Sequence, residues 1–402
     1  MVTEVADASA APVVPGTGFT KAHQLFRESV RRFVAEEINP HVDEWEQNEP
    51  FPAHELFAKM GEYGFLGVSY PEEYGGMGAD YWYNIVLAEE LAGVNCGGVP
   101  MAIGVQTDMA TPALNEFGSH ELKKKFLEPA IKGQQVCSIA VTEPGAGSDV
   151  ASIRTRAELD GDEYVINGSK MYITNGTQAD WLCLLARTSA GTSHKGMSLI
   201  IVPTDTPGFT VSRKLQKMGN WSSDTAELAF QDLRVPVANR IGEEGEGFIY
   251  QMQQFQKERL VSAAGAYMGA EKILKLTIDY LRGRQAFGQP LIDNQWIYFK
   301  LTELLTEAEF LRQMTYHCVR KLDAGEDFTR EASMCKLKAG RMIRDVADTC
   351  MQFHGGMGYM EEYPLARFYR DSRLLSIGAG ADEVMLGIIA KYEGIMPSRN
   401  RG

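Results

Sequence analysis

The sequence predicts an α+β multi-layer fold in which a middle antiparallel β-domain separates two helical domains. Three observations support this: helical apolar spacing early in the chain, then short runs rich in Val, Ile, Leu and aromatic residues, then long helical patterns with few breaks. We expect a mobile tail over residues 1–19, an N-terminal helical domain over 20–135, the β-domain over 136–240 and a C-terminal helical bundle over 241–402.

Composition limits the class of protein. The chain has 402 residues and a formal net charge of −13, and so acidic a surface repels phosphate backbones, which argues against a nucleic-acid partner. The six cysteines form no C-x-x-C pair and the seven histidines show no metal-binding spacing, so we expect free thiols in a reducing compartment and no metal site. Neither an apolar run of ~18 residues nor the basic start of a signal peptide is found. We expect a cytoplasmic protein that does not enter a membrane.

The helical domains are predicted from residue spacing. Apolar residues within 26–34 fall on one face of a 3.6-residue period. In the last domain the pattern predicts helices over 248–282, 294–322 and 330–353, although Gly340 lies in the middle of the third. A single glycine costs a helix about 1 kcal/mol relative to alanine, which does not overturn the prediction.

A glycine-rich turn, VTEPGAGSDV at residues 141–150, lies among the short β-type runs CSIAV, YVING, WLCLLAR, GMSLIIVP and TAELAF. Gly145 and Gly147 begin a dinucleotide-binding fingerprint, but its third glycine would fall on Val150 and no βαβ unit follows, so a Rossmann site is not expected. The backbone N–H groups of such a turn can still approach an anionic or carbonyl-rich ligand. Taken alone, the segment is more simply a tight turn between strands.

Three further segments have both a structural and a ligand-binding interpretation. In KMYITNG, Tyr172 could stack on a planar ring and Thr174 could hydrogen-bond it, or the segment is simply a strand. In RQAFGQP, Arg284 complements the helix macrodipole or binds a phosphate. In QFHGGMGY, the glycine amides cap a helix or contact a pyrophosphate. The structural interpretation is the default for each.

The charge run QKERL lies within the first of the long helices predicted after the β-domain. Solvent exposure is the default for Glu258. Positions one turn away nevertheless include Phe255, Val261 and Ser262, and Gly265 lies two turns on. A carboxylate with such neighbours could lie at a pocket wall, and spacing alone leaves both interpretations open.

The order and spacing of VTEPGAGSDV, MYITNG, ERL, RQAFGQPL, QFHGGMGY and IGAGADEV resemble the acyl-CoA dehydrogenase family over roughly residues 20–395. VTEPGAGSD followed by INGSKMYITNG is highly specific for that family. The resemblance implies a helical domain, a β-domain and a second helical domain. It also implies FAD at a subunit interface, usually in a homotetramer.

The resemblance further implies which residues contact FAD. Tyr172, where many members carry Trp, would pack with its neighbours beside the isoalloxazine ring. The segments after the long helices would hold the adenosine diphosphate part of a neighbouring subunit's FAD. The implied FAD-binding residues are Ile139, Val141, Thr142, Gly147, Ser148, Tyr172, Ile173, Thr174, Arg284, Phe287, Gln295, Gln352, Phe353, Gly355, Gly356, Gly380, Ala381, Asp382 and Glu383.

The catalytic base is implied by a departure from the commoner family pattern. Many members carry it as the Glu of a Glu-Gly pair in the last loop, where this chain has Ala379, and Asp382 and Glu383 fall too far along to replace it. A subset that includes isovaleryl-CoA and long-chain acyl-CoA dehydrogenases carries the base on the long helix in the motif Glu-Arg-Leu. Because this chain has that motif at 258–260, the resemblance implies Glu258 as the base.

The implied reaction is the α,β-dehydrogenation of an acyl-CoA thioester to the trans-2-enoyl-CoA. Glu258 would remove the α-proton, and desolvation in a closed pocket would make its carboxylate more basic. The flavin would take hydride from the β-carbon. A ribityl hydroxyl of FAD and a backbone N–H near Ala379 would polarise the thioester oxygen, and an electron-transfer flavoprotein would accept the electrons. The implied substrate-binding residues are Ser148, Lys257, Arg259 and Ala379.

Two alternatives stay open. An acyl-CoA oxidase, or another flavoenzyme on this fold, would show a rapid reaction of substrate-reduced enzyme with oxygen. A non-catalytic acyl-CoA-binding relative, suggested by Ala379, would bind ligand without flavin reduction. Small residues at 263–265 suggest room for a medium, long or branched acyl chain, and residues 101–106 are expected at the far wall of its pocket.

Overall fold

The computed structural model describes residues 17–48, 50–189 and 195–397. These residues form two compact units. The helical unit comprises residues up to Pro40, Asp80–Gly97 and the chain from Arg259 onward, and the sheet unit comprises His41–Ala79 and Gly98–Glu258. The helical segment that precedes the sheet in sequence therefore divides between the two units. The second boundary lies inside the long helix that follows the sheet.

The three longest helices follow the sheet. Among the described residues, no helix combines the length and the apolar composition that a membrane span requires. Segments Val34–Ile38, Val105–Ala110 and Lys123–Leu127 are π-helical. The α-helices are α1 Lys21–Phe33, α2 Val42–Asn48, α3 Ala53–Glu62, α4 Tyr81–Leu91, α5 Gly98–Gly104, α6 Pro112–Phe117, α7 His120–Leu122, α8 Glu128–Ile131, α9 Gly247–Gly283, α10 Gln295–Asp323, α11 Thr329–His354, α12 Pro364–Ser372 and α13 Asp382–Tyr392.

The strands form one 8-stranded sheet in the sheet unit and a two-stranded hairpin in the helical unit. The large sheet has the order β6-β7-β3-β2-β4-β5-β8, and β1 pairs with β4. The strands are β1 Cys137–Ala140, β2 Arg156–Asp160, β3 Glu163–Thr174, β4 Trp181–Arg187, β5 Met197–Pro203, β6 Phe209–Lys214, β7 Thr225–Pro236, β8 Arg240–Ile241, β9 Gln285–Ala286 and β10 Gln289–Pro290.

The predicted antiparallel pairing holds for most neighbours of the large sheet, with two exceptions. Strand β1 pairs with β4 in parallel over four residues, and β2 pairs with β4 in parallel at Arg156 and Arg187. Parallel neighbours need a long connection between them. Strands β2 and β3, which separate β1 from β4 along the chain, provide that connection.

Strand β4 forms the centre of the sheet unit, and all its residues are buried. Trp181, Cys183 and Leu185 belong to one apolar cluster, and Leu182 and Leu184 belong to another. Successive side chains of a strand point to opposite faces. A strand covered on both faces therefore has a continuous apolar sequence, which explains the run WLCLLAR.

The helical unit begins earlier than predicted. Residues 1–16 of the expected tail lie outside the described residues, but Thr17 and Phe19, from its end, are buried. The Phe19 ring packs edge-on against Trp82 on α4 and Tyr316 on α10, with ring centroids 5.1 and 5.4 Å apart. Packing of this unit therefore starts before α1.

Helices α9, α10 and α11 confirm the three long helices predicted after the sheet, each end within one residue of its predicted position. Helix α10 begins where it does because the Asn294 side chain accepts a hydrogen bond from the Trp296 N–H at 3.1 Å. Helix α11 continues through Gly340. A Cβ at Gly340 would lie 2.8 Å from Ser376 Oγ and 2.9 Å from Asp382 Oδ1, so the glycine lets the chain before α13 approach α11 closely.

We predict that Gly340→Ala destabilises the protein by about 1–3 kcal/mol, because the added methyl group overpacks this contact. Chemical unfolding measures the change. Gly387→Ala on α13 is the control, since its Cβ would meet no atom of the described residues within 4 Å. The free energy of unfolding of that variant should rise by up to about 1 kcal/mol, because alanine has a higher helix propensity than glycine. Equal effects of the two substitutions would contradict the packing argument.

Candidate active site

Glu258 is a buried member of the charge run on α9. The residue is 2% exposed, whereas Lys257 is exposed and Arg259 is buried. Successive helical residues are rotated by about 100° because the helix has 3.6 residues per turn. Neighbouring charges therefore face different surroundings. The burial of Glu258 favours its interpretation as a pocket-wall carboxylate over that of a solvated charge.

Gln254 holds the Glu258 carboxylate from one turn earlier on α9. Its Nε2 donates to Glu258 Oε1 at 3.0 Å and also to the Met109 carbonyl. Its Oε1 accepts from the Ala113 N–H at 3.1 Å. Both ends of the amide are thus used, which fixes its orientation. Sequence reasoning missed Gln254, although its spacing of four residues from Glu258 was the available signal.

The glycine-rich turn in the sheet unit is tight, as its structural interpretation predicted. Glu143 and Ala146 exchange both backbone hydrogen bonds, at 3.0 and 3.1 Å. Gly147 and Ser148 beyond them are exposed. No atom of the described residues lies within 4 Å of a Cβ built at Gly147, so space beside the backbone is open to a ligand. Of the other implied FAD contacts here, Val141 is buried, and Ile139 and Thr142 are half-buried.

A buried ion pair anchors this turn. The Nζ of Lys170 lies 3.0 Å from Glu143 Oε1 and 2.8 Å from the Val141 carbonyl oxygen. The Glu143 carboxylate also accepts the N–H groups of Arg154 and Thr155 at 2.6 and 2.9 Å. Burial acts to raise the pKa of Glu143, but Lys170 and the hydrogen bonds outweigh it, and the pKa is lowered. Burial lowers the pKa of Lys170 to about 8 despite the attraction of Glu143.

Strand β3 carries a bulge at the MYITNG segment. The register of β3 against β7 shifts between Lys170 and Ile173, and the Met171 N–H donates instead to the Thr142 carbonyl at 2.8 Å. Tyr172 has φ 63° and an exposed ring, whereas Ile173 is buried and Thr174 half-buried. The bulge therefore joins the glycine-rich turn and presents one aromatic side chain beside it.

In the helical unit a two-residue hairpin follows α9. Strands β9 and β10 flank Phe287 and Gly288, whose φ values are 52° and 83°. These values suit a primed hairpin turn. Arg284 and Gln295, which the resemblance also implies as FAD contacts, are exposed, and Phe287 at the tip is fully exposed.

The glycine loop after α11 lies beside this hairpin. Tyr280, whose carbonyl accepts the Arg284 N–H at 2.9 Å, stacks on His354 with ring centroids 4.2 Å apart. Gly355 and Gly356 are exposed and a Cβ on either would meet no described atom within 4 Å, while Phe353 is buried. Gln352 is exposed on the last turn of α11. The hairpin and the glycine loop thus form one exposed region of the helical unit.

The two acids that follow the last loop, Asp382 and Glu383, differ in burial. Asp382 is buried, and its Oδ2 lies 3.2 Å from Arg344 Nη2 and 3.8 Å from Arg341 Nε. Glu383 is exposed and Ala381 half-buried. Ala379 and Gly380 have φ values of 51° and 97°.

Backbone strain coincides with these segments. Among the described residues with positive φ, those other than Gly, Asn and Asp are Tyr172, Phe287 and Ala379. Non-glycine residues in this region cost roughly 1–3 kcal/mol and persist where the surrounding structure holds them. Each of the three lies in a different segment that the resemblance implies for FAD or substrate.

Within the parts of the chain that the structure describes, no group of His, Cys, Asp or Glu side chains could hold a metal ion.

Along the chain, helices precede and follow one large sheet, which is the order of a three-domain α+β enzyme fold, and family models match all three parts. The acyl-CoA dehydrogenase N-terminal domain matches residues 20–134, the middle domain residues 138–233 and the C-terminal domain residues 245–393. The chain belongs to the acyl-CoA dehydrogenase family and is an enzyme of that class.

Individual relatives are similar over most of their length. The chain is 39% identical to the long-chain specific acyl-CoA dehydrogenase of Sus scrofa over 93% of this chain and 86% of that protein. It is 35% identical to isovaleryl-CoA dehydrogenase of Solanum tuberosum, over 93% and 90%. A crystal structure of an acyl-CoA dehydrogenase from Geobacillus kaustophilus is 43% identical, with a TM-score of 0.90 over 93% of this chain and 98% of that one.

We predict that Glu143→Gln destabilises the protein by about 3 kcal/mol at pH 7, because it leaves the buried Lys170 charge without its partner. The folded-state pKa of Glu143 lies below its ordinary value of 4.5. The carboxylate therefore contributes stability above pH 4.5 that is lost as the pH falls through the lowered pKa. The difference between variant and wild type should narrow in acid, which urea unfolding at several pH values measures.

Glu128→Gln is the matched control. Glu128 contacts Lys124 and Lys132 at 3.0 and 2.6 Å, but on the surface. Surface ion pairs contribute little to stability, so this change should be the smaller one. A Glu143→Gln effect no larger than that of the control would contradict the anchoring role of the pair.

Proposed function

We propose that the protein catalyses the FAD-dependent α,β-dehydrogenation of an acyl-CoA thioester to the trans-2-enoyl-CoA, with Glu258 as the base. The observation that carries the proposal is the buried Glu258 carboxylate on α9, oriented by Gln254. A base must be held in one orientation and kept from bulk water to take a weakly acidic proton efficiently.

Other acids are less suited to this task. Ala379 stands where many family members carry the base and has no acidic group. Asp382 is buried against Arg344 and Arg341, so its carboxylate is already engaged by two guanidinium groups. Glu383 is exposed on the first turn of α13, so its carboxylate is not kept from bulk water.

The remaining proposed substrate contacts are one backbone N–H group and several polar side chains. We assign the Ala379 N–H to the thioester oxygen, because a preorganised donor there stabilises negative charge that develops during α-proton removal. Lys257 is exposed and can meet a phosphate of CoA, and Ser148 lies exposed on the glycine-rich turn. Arg259 donates from Nη1 to Ser333 Oγ at 3.1 Å, which suits a role in fixing α9 beside α11.

The described residues suit FAD in two places. The bulge at Tyr172 offers an exposed aromatic ring beside the open glycine-rich turn, which suits a planar ring system. The loop of Gly355 and Gly356 offers unobstructed backbone, which suits a pyrophosphate. When bound, FAD supplies the hydride acceptor that the reaction needs.

The partners follow from the exposed surface and the chemistry. Trp296, Phe299 and Phe310 on α10 are each more than half exposed, and Phe287 is fully exposed. Exposed apolar side chains of this number mark a protein interface, and we propose a homotetramer in which they are covered. We further propose an electron-transfer flavoprotein as the electron acceptor, in line with the family.

Glu258→Gln tests the proposal. The flavin band of purified FAD-loaded protein should bleach when a matching acyl-CoA is added without oxygen, and the variant should bleach about 10²–10⁴-fold more slowly. The panel should run from short to long acyl chains and include 3-methyl-branched thioesters. Stopped-flow absorbance measures the rates, and the best substrate identifies the activity.

Glu271→Gln is the matched control on the same helix, because that carboxylate is held by Arg312. It should bleach like wild type. A Glu258→Gln protein that bleaches at the wild-type rate would remove Glu258 from its role. Binding of acyl-CoA without bleaching across the panel would favour the non-catalytic alternative, and fast reoxidation by oxygen would favour an oxidase.

The chain-length preference is tested at Gly265. A Cβ there would meet no described atom within 4 Å, so the helix surface beside it is open. If the acyl chain lies there, Gly265→Leu should lower kcat/KM for long chains relative to short ones by about tenfold or more. Gly387→Leu, at an equally open helix position on α13, is the control. An unchanged preference in Gly265→Leu would place the acyl chain elsewhere.

A further inference from the structure

Lys336, in the middle of α11, makes an unusual set of contacts. The residue is 0% exposed, and its Nζ donates to the carbonyl oxygens of Leu375, Gly378 and Gly380 at 2.5, 3.0 and 3.2 Å. An ammonium group has three N–H donors. All three are therefore directed at one loop, the segment that contains Ala379.

Charged groups around Lys336 come from three helices. Burial lowers the pKa of Lys336 to about 8, Asp382 on α13 acts to raise it and Arg259 on α9 acts to lower it. On α11 itself, Arg344 and Arg341 face the same Asp382 carboxylate. Lys336 is thus a cation held below the loop by carbonyl dipoles and one counter-ion.

The contact with Gly378 determines where the next N–H points. In a trans peptide the carbonyl of one residue and the N–H of the following residue point in opposite directions. Because the Gly378 carbonyl points at buried Lys336, the Ala379 N–H points away from it. Among the described residues no acceptor binds this N–H, so it remains available to a ligand. The Gly380 contact fixes the peptide between Gly380 and Ala381, one residue further along the loop.

The loop needs such support because its conformation is strained. Ala379 and Gly380 both have positive φ, at 51° and 97°, and an alanine is disfavoured there relative to a glycine. Each carbonyl bound by Lys336 selects this conformation over alternatives in which the peptide is rotated.

We propose that Lys336 is a positioning residue that aims the Ala379 N–H at the thioester oxygen of the substrate. The proposal rests on the proposed function, which assigns the N–H this role. Lys336 does not touch the substrate. It acts by holding the Leu375, Gly378 and Gly380 carbonyls, and it should therefore affect the chemical step more than substrate binding.

Lys336→Met in the FAD-loaded enzyme tests the proposal. Loss of one aligned donor should lower kcat by about 10²-fold, with KM within a few-fold of wild type and FAD content unchanged. The infrared stretch of a ¹³C-labelled thioester carbonyl in bound 2-enoyl-CoA should shift to lower frequency in wild type and lose much of that shift in the variant. Unchanged kcat and unchanged carbonyl frequency would overturn the proposal.

Lys272→Met is the matched control. Its Nζ donates to the Gly93 and Val94 carbonyls and to Asn95 Oδ1 at 2.9, 3.0 and 3.0 Å, although Lys272, unlike Lys336, is exposed. Its ammonium group likewise binds three oxygen acceptors of one loop, but that loop lies at residues 93–95. This variant should keep kcat and the carbonyl shift. A loss equal to that of Lys336→Met would indicate a general effect of removing a lysine.

If Lys336→Met does not fold, the pH profile decides. The wild-type kcat should fall as the pH rises through about 8, since the neutral amine has one donor fewer. Lys336→Arg, which stays charged, should retain kcat within about tenfold and lose this fall. A flat wild-type profile between pH 7 and 9, or an identical fall in Lys336→Arg, overturns the proposal. If none of the acyl-CoAs in the panel bleaches the wild-type flavin, the proposed function is refuted instead. The carbonyl shift of the bound thioester still tests Lys336 in that case.

Discussion

A charge removed from water has to be compensated, and this constraint shapes the candidate site in both units. In the sheet unit the pair of Glu143 and Lys170 fixes the glycine-rich turn and the bulge of β3. In the helical unit Lys336 and Asp382 fix the last loop from beneath. Lys170, Lys336 and Asp382 lie on regular elements, whereas Glu143 belongs to the turn that it anchors. Irregular segments that would otherwise sample many conformations are thereby held to one.

The strained backbone positions are the counterpart of these anchors. Tyr172 lies on the bulge that Lys170 begins, and Ala379 lies between two carbonyls that Lys336 binds. Strain of this kind persists only where the surroundings fix the conformation. It coincides with the segments that we propose present the Tyr172 ring and the Ala379 N–H to ligands. Helix α9 adds a third fixed group, the Glu258 carboxylate, through the amide of Gln254.

Local patterns in the sequence were sufficient for the long elements. Helices α9 to α11 were predicted to within one residue because their apolar period extends over many turns and their ends carry clear signals, such as Asn294 at the start of α10. The parallel pairing of β1 with β4 was not predictable, because register depends on which strands meet after a long connection. The burial of Glu258 was also left open, since spacing alone does not show what covers a helix face.

The sequence by itself determined the order of the domains, the family and the residues that match its motifs, because these depend on residue identity and spacing along the chain. Tertiary structure alone decided which charges are buried and with what partners. Gly340 is unfavourable for a helix by sequence alone, yet its missing side chain leaves room for Ser376 and Asp382 beside α11. Lys336 had no local signal at all. Its role arises because α11 packs beneath residues 375–380, and long-range contacts of this kind leave no trace in a short stretch of sequence.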